Sequence, residues 1–350
     1  MLIQNENEML VDVRGNANIN FDTLVAQAQV MDTCWEDRIA VYDGYHPAVR
    51  LTDHATSLYT DRRGVVHEHD ITAHMLSQLC NKSGIPSEYI AKCILNGKEE
   101  LAAQNFNTWA YDSPALKQDL VVKHFYDQHN ADHAMVSFNY HTYNAGQALS
   151  ELQEALDRPE FADRYEANQA FLSPDHMHIR FVDFNNPITI GGDTLHAGFT
   201  VTSDDIGRGA LTMKYFLYRF VCKNGLVVSK GNVALFRQTH LRDFSNVGPQ
   251  LFVNRLNEID AINGEVQQNV EKAMMRRITR EELEHLMKTA QQELHFGKAG
   301  KENILSLLES TYTDNTYWSF INAITEDAQR YTLSGRLASE TFAGKLLVAA

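Results

Sequence analysis

Only four cysteines occur in 350 residues, and Cys34, Cys80, Cys93 and Cys222 stand far apart with no CxxC pair. That spacing excludes a disulfide framework or a cysteine zinc site, and it suits a reducing cytoplasm. No apolar run reaches the roughly 18 residues of a membrane span. The opening MLIQNENEMLVDV has neither a basic nor an apolar signal region, so no signal peptide is expected. The phosphate-binding signatures GxxxxGK[ST] and GxGxxG are missing, as are HExxH and GxSxG. No serine, cysteine or histidine stands at a diagnostic nucleophile spacing. A cytoplasmic chain with no catalytic residue, no cofactor and no resident metal is the expectation.

Internal repeats and low-complexity linkers are also absent. Hydrophobic residues at 44% and charged residues at 22% are ordinary globular values, and the length supports a sizeable core. Charge, in contrast, is uneven. The chain carries a formal −14, and residues 1–170 hold 12 Lys+Arg against 25 Asp+Glu. Residues 206–255 reverse this, with 8 cations against Asp243 alone.

The segment 1–65 is mixed and poorly periodic, and turn signals at Tyr42–Pro47 and Asp61–Gly64 suggest short strands and loops. Asp70 is read as the cap of a helix running to Ser83, and Ser87 as the cap of EYIAKCIL. A third helix covers KEELAAQNFNTWA. Aromatic and β-branched runs then predict strands at 120–126, 133–140, 177–184, 194–203 and 211–222, with a helix from Asn144 to Leu156. LVVS and VALFRQTHL flank Lys230-Gly231-Asn232 as an expected hairpin. From Pro249 the chain is helical, with a capping box at Thr279–Glu282 and a candidate break at Gly335. The expected fold is α+β: a mixed segment 1–69, then one domain over 70–347. Its central, mainly antiparallel sheet spans about 120–245, with helical blocks before it and over 250–347.

Cations interleaved with aromatics suit single-stranded nucleic acid, where Lys and Arg hold phosphates and rings stack on bases. On that basis Arg208, Lys214, Arg219, Lys223, Lys230, Arg237 and Arg242 are candidate phosphate contacts, with Tyr215 and Tyr218 as the stacking pair. In an extended chain Tyr215 and Arg219 share one face while Lys214, Phe216 and Tyr218 share the other, so part of this set must be core. SDDIGRGA around Arg208 reads as a phosphate cradle or as a glycine-bearing strand connection. His67, His69 and His74, and His176 and His178 with Asp183, could seat a metal only if a third ligand converged.

The same stretches carry a resemblance. Gly198–Val228, with Arg219, Cys222, Asn224 and Gly225, resembles the core of the family catalogued as domain of unknown function 932, the phage/plasmid-related proteins. Thr316–Leu347, with Asn322, Ala323, Arg336, Glu340, Ala343 and Gly344, resembles its C-terminal helices. Leu76–Ile90 and Phe106–Trp109 resemble its N-terminal helices. The resemblance covers about 70–347, and VSFNYHTYN departs from the family's serine-arginine strand at Asn139. Arg336 and Glu340 stand at i,i+4, the spacing of a helix-surface ion pair.

The resemblance implies a mobile genetic element without fixing an activity. The leading expectation is a non-enzymatic protein of DNA recombination or replication. It would bind single-stranded DNA, anneal strands as a homo-oligomer, and work in a bacterial cytoplasm. The alternative is an anti-defence protein that meets a host protein through its acidic segment 1–170, with a metal-dependent nuclease at His176, His178 and Asp183 as a third reading.

Overall fold

Asn20, followed by apolar residues at 24, 25, 28 and 31, starts the first helix. In the computed structural model the described residues are 11–13, 19–44, 47–52, 54–126, 130–219, 224–227, 235–241 and 243–350. Strand β1 (Val11–Val13) precedes helix α1 (Phe21–Asp32), where the Asn20 side chain accepts from the Thr23 N–H at 3.0 Å. Strands β2 (Trp35–Val41), β3 (Ala48–Leu51), β4 (Ala55–Asp61) and β5 (Val66–Asp70) follow. Helices α2 (Ala73–Ser83), α3 (Ser87–Leu95) and α4 (Glu99–Asp112) lead to β6 (Leu120–Phe125), β7 (Ala131–Ser137) and α5 (Ala145–Leu156).

A meander of long strands comes next: β8 (Glu166–Leu172), β9 (Met177–Ile190), β10 (Asp193–Ser203) and β11 (Ala210–Arg219). Two short strands, β12 (Asn224–Val227) and β13 (Phe236–Thr239), precede the C-terminal helices. These are α6 (Pro249–Met275), α7 (Arg280–Leu294), α8 (Lys298–Ser310), α9 (Tyr317–Asp327) and α10 (Leu333–Ala349). A single 3-10 turn at Ala328–Arg330 separates α9 from α10, and Gly335 lies inside α10 rather than at a break.

The fold is α+β, as the sequence pattern implies, but the sheet expected at 120–245 is divided between two antiparallel sheets. The larger has seven strands in the order β1-β8-β9-β10-β11-β12, with β13 also on β11. The smaller has six, β3-β4-β2-β6-β7, with β5 on β4. Residues up to Asp70 supply four of the smaller sheet's strands; short strands are expected there, but their bounds and pairing are not legible because WEDRIAV, ATSLYTD and VHEHD are too polar to alternate. Asp70 does not cap α2. The Ile71 N–H is held by the Ala55 carbonyl at 2.9 Å, which prolongs the strand, and Thr72 caps instead by accepting from the Met75 N–H. Ser87 is the first residue of α3, after Pro86.

The main core joins one face of the larger sheet (Ile179, Phe181, Phe199, Val201, Met213, Leu217) to α1 and α5–α10. The smaller sheet packs Tyr59, Val122 and Met135 against Met75, Leu79, Ile90 and Phe106 of α2–α4. Each large apolar side chain so buried contributes about 1.5–3 kcal/mol. At the centre of the larger sheet Gly198 is required by close approach, since a Cβ there would lie 2.0 Å from the Phe181 carbonyl oxygen.

Candidate nucleic-acid interface

Alternation places one face of the larger sheet in the core, so its opposite face takes the remaining residues of each strand. Register defines that face. His178, Thr202, Thr212 and Arg237 lie directly opposite one another across β9, β10, β11 and β13. Two residues along, Arg180, Thr200 and Lys214 form the next row, with Gln169 of β8 beside Arg180. Val182, Gly198 and Phe216 form the third. Threonine suits a strand through its branched Cβ and adds a hydroxyl, so the face is both well formed and polar.

Exposure is graded along these rows. His178, Arg180 and Thr200 are buried, Thr202, Thr212 and Lys214 are half-buried, and Arg237 is exposed. The buried end meets α10, where Glu340 pairs with Arg180 and Arg336 is also buried. The Arg180 guanidinium lies 4.4 Å from the centre of the Phe216 ring. Arg336 and Glu340 are therefore interior groups at a sheet–helix junction and not the surface pair their i,i+4 spacing suggests.

Arg180 and Arg336 thus stand by the carboxylate of Glu340, while Lys214 and Arg237 lie farther along the same face on β11 and β13. Burial raises the Glu340 carboxyl's pKa, partly offset by Arg180 and Arg336. His178 is held well below the usual imidazole range, first by burial and then by Arg180, His176, Arg336 and Lys214, so the ring is neutral. Its Nδ1 lies 3.0 Å from the Thr202 hydroxyl, while its buried Nε2 has no hydrogen-bond partner. The Arg180 Nε is likewise buried without one. Lys214 is lowered by burial and by Arg237.

Of the sequence candidates, Lys214, Tyr218 and Arg237 share this face. Tyr215 and Arg219 point to the other side. Tyr215 is 2% exposed and its hydroxyl donates to Asn263 Oδ1 at 2.9 Å. Tyr218 is also 2% exposed, against Phe216 and Phe184. The two tyrosines lie on opposite faces in the interior, so together they do not form an open stacking platform. Arg219 pairs with Asp193 at 2.6 Å and lies 5.7 Å from the Tyr312 ring centre. Arg208 lies 3.3 Å from Asp204 and 4.0 Å from Asp175. Its loop is anchored on α2, with Gln78 donating to the Ile206 carbonyl at 3.1 Å. Gly207 there has φ +81°, the conformation a strand connection needs.

Lys223, Lys230, Arg242 and Cys222 lie outside the described residues, as does the turn at Lys230-Gly231-Asn232. Among the described residues the flanking strands do not pair with each other. β12 pairs with 216–219 of β11 and β13 with 210–213, which leaves Lys214 and Tyr215 between them on that edge. Asn224 and Gly225 belong to β12 rather than to a turn.

Sequence reasoning missed Arg180, the three threonines, and the part played by His178, Arg336 and Glu340. The available signal was alternation repeated in register: HIRF, FTVT and LTMK each place polar residues on one side.

The candidate metal ligands do not converge. Asp183 accepts from Arg164 Nε at 2.8 Å and from Asn186, His176 lies 3.6 Å from Asp204, and His178 is turned to Thr202. His67 lies 3.2 Å from Asp61, His69 Nε2 is 2.6 Å from Arg38, and His74 Nε2 is 3.0 Å from the Ile206 carbonyl oxygen. Among the described residues no three His, Cys, Asp or Glu side chains could hold a metal together. A buried charge network occupies the junction of the two sheets, where Lys123 lies 2.8 Å from Asp37 and 3.3 Å from Asp205. No described helix is long and apolar enough to cross a membrane.

Comparison with known proteins returns no match among curated proteins and none among solved structures. One family model matches residues 132–342, more than half of the chain. The match runs from β7 into α10 and includes every residue of the two polar rows, together with Arg336 and Glu340. The chain belongs to the DUF932 family, a domain of unknown function.

Proposed function

We propose that this protein binds single-stranded DNA across the polar face of the larger sheet, in recombination or replication of a phage or plasmid in a bacterial cytoplasm. The observation that carries the proposal is the pair of registered rows, in which Lys214 and Arg237 stand at the open side of a face with four cations and one carboxylate. The action is electrostatic and involves no covalent chemistry. Phosphates displace counterions on meeting Lys and Arg, and threonine hydroxyls donate to phosphate oxygens. The β11 aromatics are committed to the interior, so the grip is on the backbone and the bases stay available to a second strand. That is the requirement for annealing, with a homo-oligomer as the working form.

The test is fluorescence anisotropy with a labelled single-stranded oligonucleotide at about 50 and about 200 mM salt, with mass photometry on the same samples. Affinity that falls steeply with salt is expected. Absence of binding at both salts removes the proposal. The acidic segment 1–170, with exposed Trp109 and Tyr111 within it, favours as a second reading capture of a host defence protein. A specific partner in pull-downs, lost when that surface is neutralised, would support it.

A further inference from the structure

A cleft opens where the larger sheet meets α1, the start of α5 and the turn between β8 and β9. Half-buried Asp32, Trp35, Asn144 and His176 stand on its walls, and buried Ser203 and Asp205 lie at its floor. No Lys or Arg is among the described residues that line it. The free space at its centre, about 10 Å³, admits one water-sized species and no nucleotide.

Two carboxylates there are poorly served. Asp205 is 7% exposed, and its contacts are all long: 3.2 Å to His240 Nδ1, 3.3 Å to Lys123 Nζ, 3.3 Å to the Tyr140 hydroxyl and 3.5 Å to the Tyr143 N–H. A cation fully engaged with a carboxylate comes to about 2.7–2.9 Å. Lys123 does so with Asp37, at 2.8 Å, and not with Asp205. Asp32 accepts from the Gln147 N–H at 3.2 Å and so takes the capping place of Asn144, whose side chain makes no cap bond. Asn144 Oδ1 is left buried without a partner, and so is the hydroxyl oxygen of Ser203, a residue 3% exposed. Burial pushes the carboxyls of Asp32 and Asp205 above the usual range, and the charge of Asp205 adds to the effect at Asp32. Asp175, a third acid on the wall, is in contrast paired with His133. Buried polar atoms without partners are costly and uncommon in native proteins, and here two of them line the same cleft as two underserved carboxylates.

We infer that this cleft holds one hard divalent cation of the Mg²⁺ class, bound by Asp32 and Asp205 with the Asn144 carboxamide and the Ser203 hydroxyl, and by water on its open side. Every donor in that set is an oxygen, which suits Mg²⁺ and not the nitrogen and sulfur sites of Zn²⁺. Ca²⁺ takes about six to eight oxygens, more than these side chains supply, whereas Mg²⁺ is commonly held by one or two carboxylates and keeps several waters. Two carboxylates therefore suffice, without a third acidic or imidazole ligand. The cation joins the end of α1, the start of α5 and the end of β10, so its binding registers as stability of the fold.

The experiment strips the protein with chelator, desalts it, and follows its melting temperature as MgCl₂ is added into the millimolar range. CaCl₂, NaCl and methylammonium chloride at matched ionic strength run alongside. Mg²⁺ should give a saturable rise of roughly 4 °C at about 100 times its Kd, and Ca²⁺ less. Mn²⁺, a paramagnetic probe of the same class, should bind at about one per chain by electron paramagnetic resonance. Asp32→Asn and Ser203→Ala should each lose both responses. Asn keeps the acceptor for the Gln147 N–H and Ala removes an oxygen that has no partner, so in chelator neither variant should melt below wild type.

No rise beyond that in NaCl, or an equal rise in both variants, overturns the inference. A larger response to Ca²⁺ overturns the Mg²⁺ class, and a response to methylammonium in place of Mg²⁺ assigns the cleft to an amine instead. No oligonucleotide enters these measurements, so their outcome is separate from that of the DNA reading.

Discussion

Replacing Glu340 by Gln should move stability and DNA affinity in opposite directions. Glu340 is fully buried and pairs with Arg180, itself 4% exposed. Gln keeps the shape and one acceptor oxygen but leaves a buried guanidinium without its counterion. Removing one partner of such a pair costs about 3–5 kcal/mol, and the retained acceptor places Glu340→Gln near about 3. In the double variant Arg180→Met/Glu340→Leu, where no charge is left stranded, most of that loss should disappear. On the binding side, Arg180 and Lys214 are two strands apart, roughly 10 Å at the usual inter-strand spacing. A carboxylate that far from a bound phosphate repels it by roughly 1.7 kcal/mol at an effective dielectric constant near 20, somewhat more than tenfold in affinity. Urea titration and low-salt anisotropy on the same preparation read both quantities. Oligonucleotide at about 100 times its Kd should return roughly 2.7 kcal/mol to the variant. A variant that is less stable and also binds more weakly would falsify the placement of the phosphates on this face.

Lys214→Gln and Arg237→Gln should each lower the salt-dependence slope by roughly one unit, while Arg219→Gln, on the opposite face and paired with Asp193, should leave it unchanged when read by the same anisotropy series. Asp32 accepts from the Gln147 N–H at 3.2 Å near the start of α5, yet burial pushes its carboxyl up to about 6, against an ordinary 3.8. The folded state therefore binds more protons than the unfolded between those values, and stability falls as pH rises through that window. Asp32→Asn should lack this fall and gain about 1–2 kcal/mol on wild type from about pH 4 to 6, after allowance for partial exposure, and parallel urea-derived profiles would refute it. Gly198→Ala forces a Cβ against the Phe181 carbonyl and should cost more than about 3 kcal/mol, seen as a large fall in urea midpoint.

Much of the fold was legible. The long strands of the larger sheet, the helices after Pro249 and the Thr279–Glu282 capping box follow from branched and aromatic runs, apolar spacing and cap chemistry. The smaller sheet was not, because its early strands are polar and β2 draws its main pairing from distant β6, with Arg38 opposite Val122. Helix α1 was overlooked although Asn20 and the 24, 25, 28, 31 spacing announce it. For the candidate site, linear charge density pointed to β11 but mixed its two faces. Strand period separates Lys214 from Tyr215, but it does not show which face the helices cover. That depends on α6 packing on one side and α10 closing the other. Glu340 lies 160 residues from Arg180, and no local pattern joins them.

The charge asymmetry of the chain can now be assigned residue by residue. If the cations of the 206–242 interval existed to balance the acidic segment 1–170, their partners would come from that segment. Among the described residues they do not. Arg208 meets Asp204 and Asp175, and Arg219 meets Asp193, all after residue 170. The buried cation that the acidic segment does neutralise is its own Lys123, by Asp37, with Asp205 on the other side. Lys214 and Arg237 have no ion-pair partner among the described residues, and they are neighbours on one face. Charge that is close together, lies on rigid strands and is unmatched within the described fold raises the free energy of the protein alone, and an anion from outside lowers it. Under the proposed DNA reading, the acidic remainder would act on the same ligand. It would repel a polyanion away from this face, so net negative charge would confine binding to the sheet rather than oppose it.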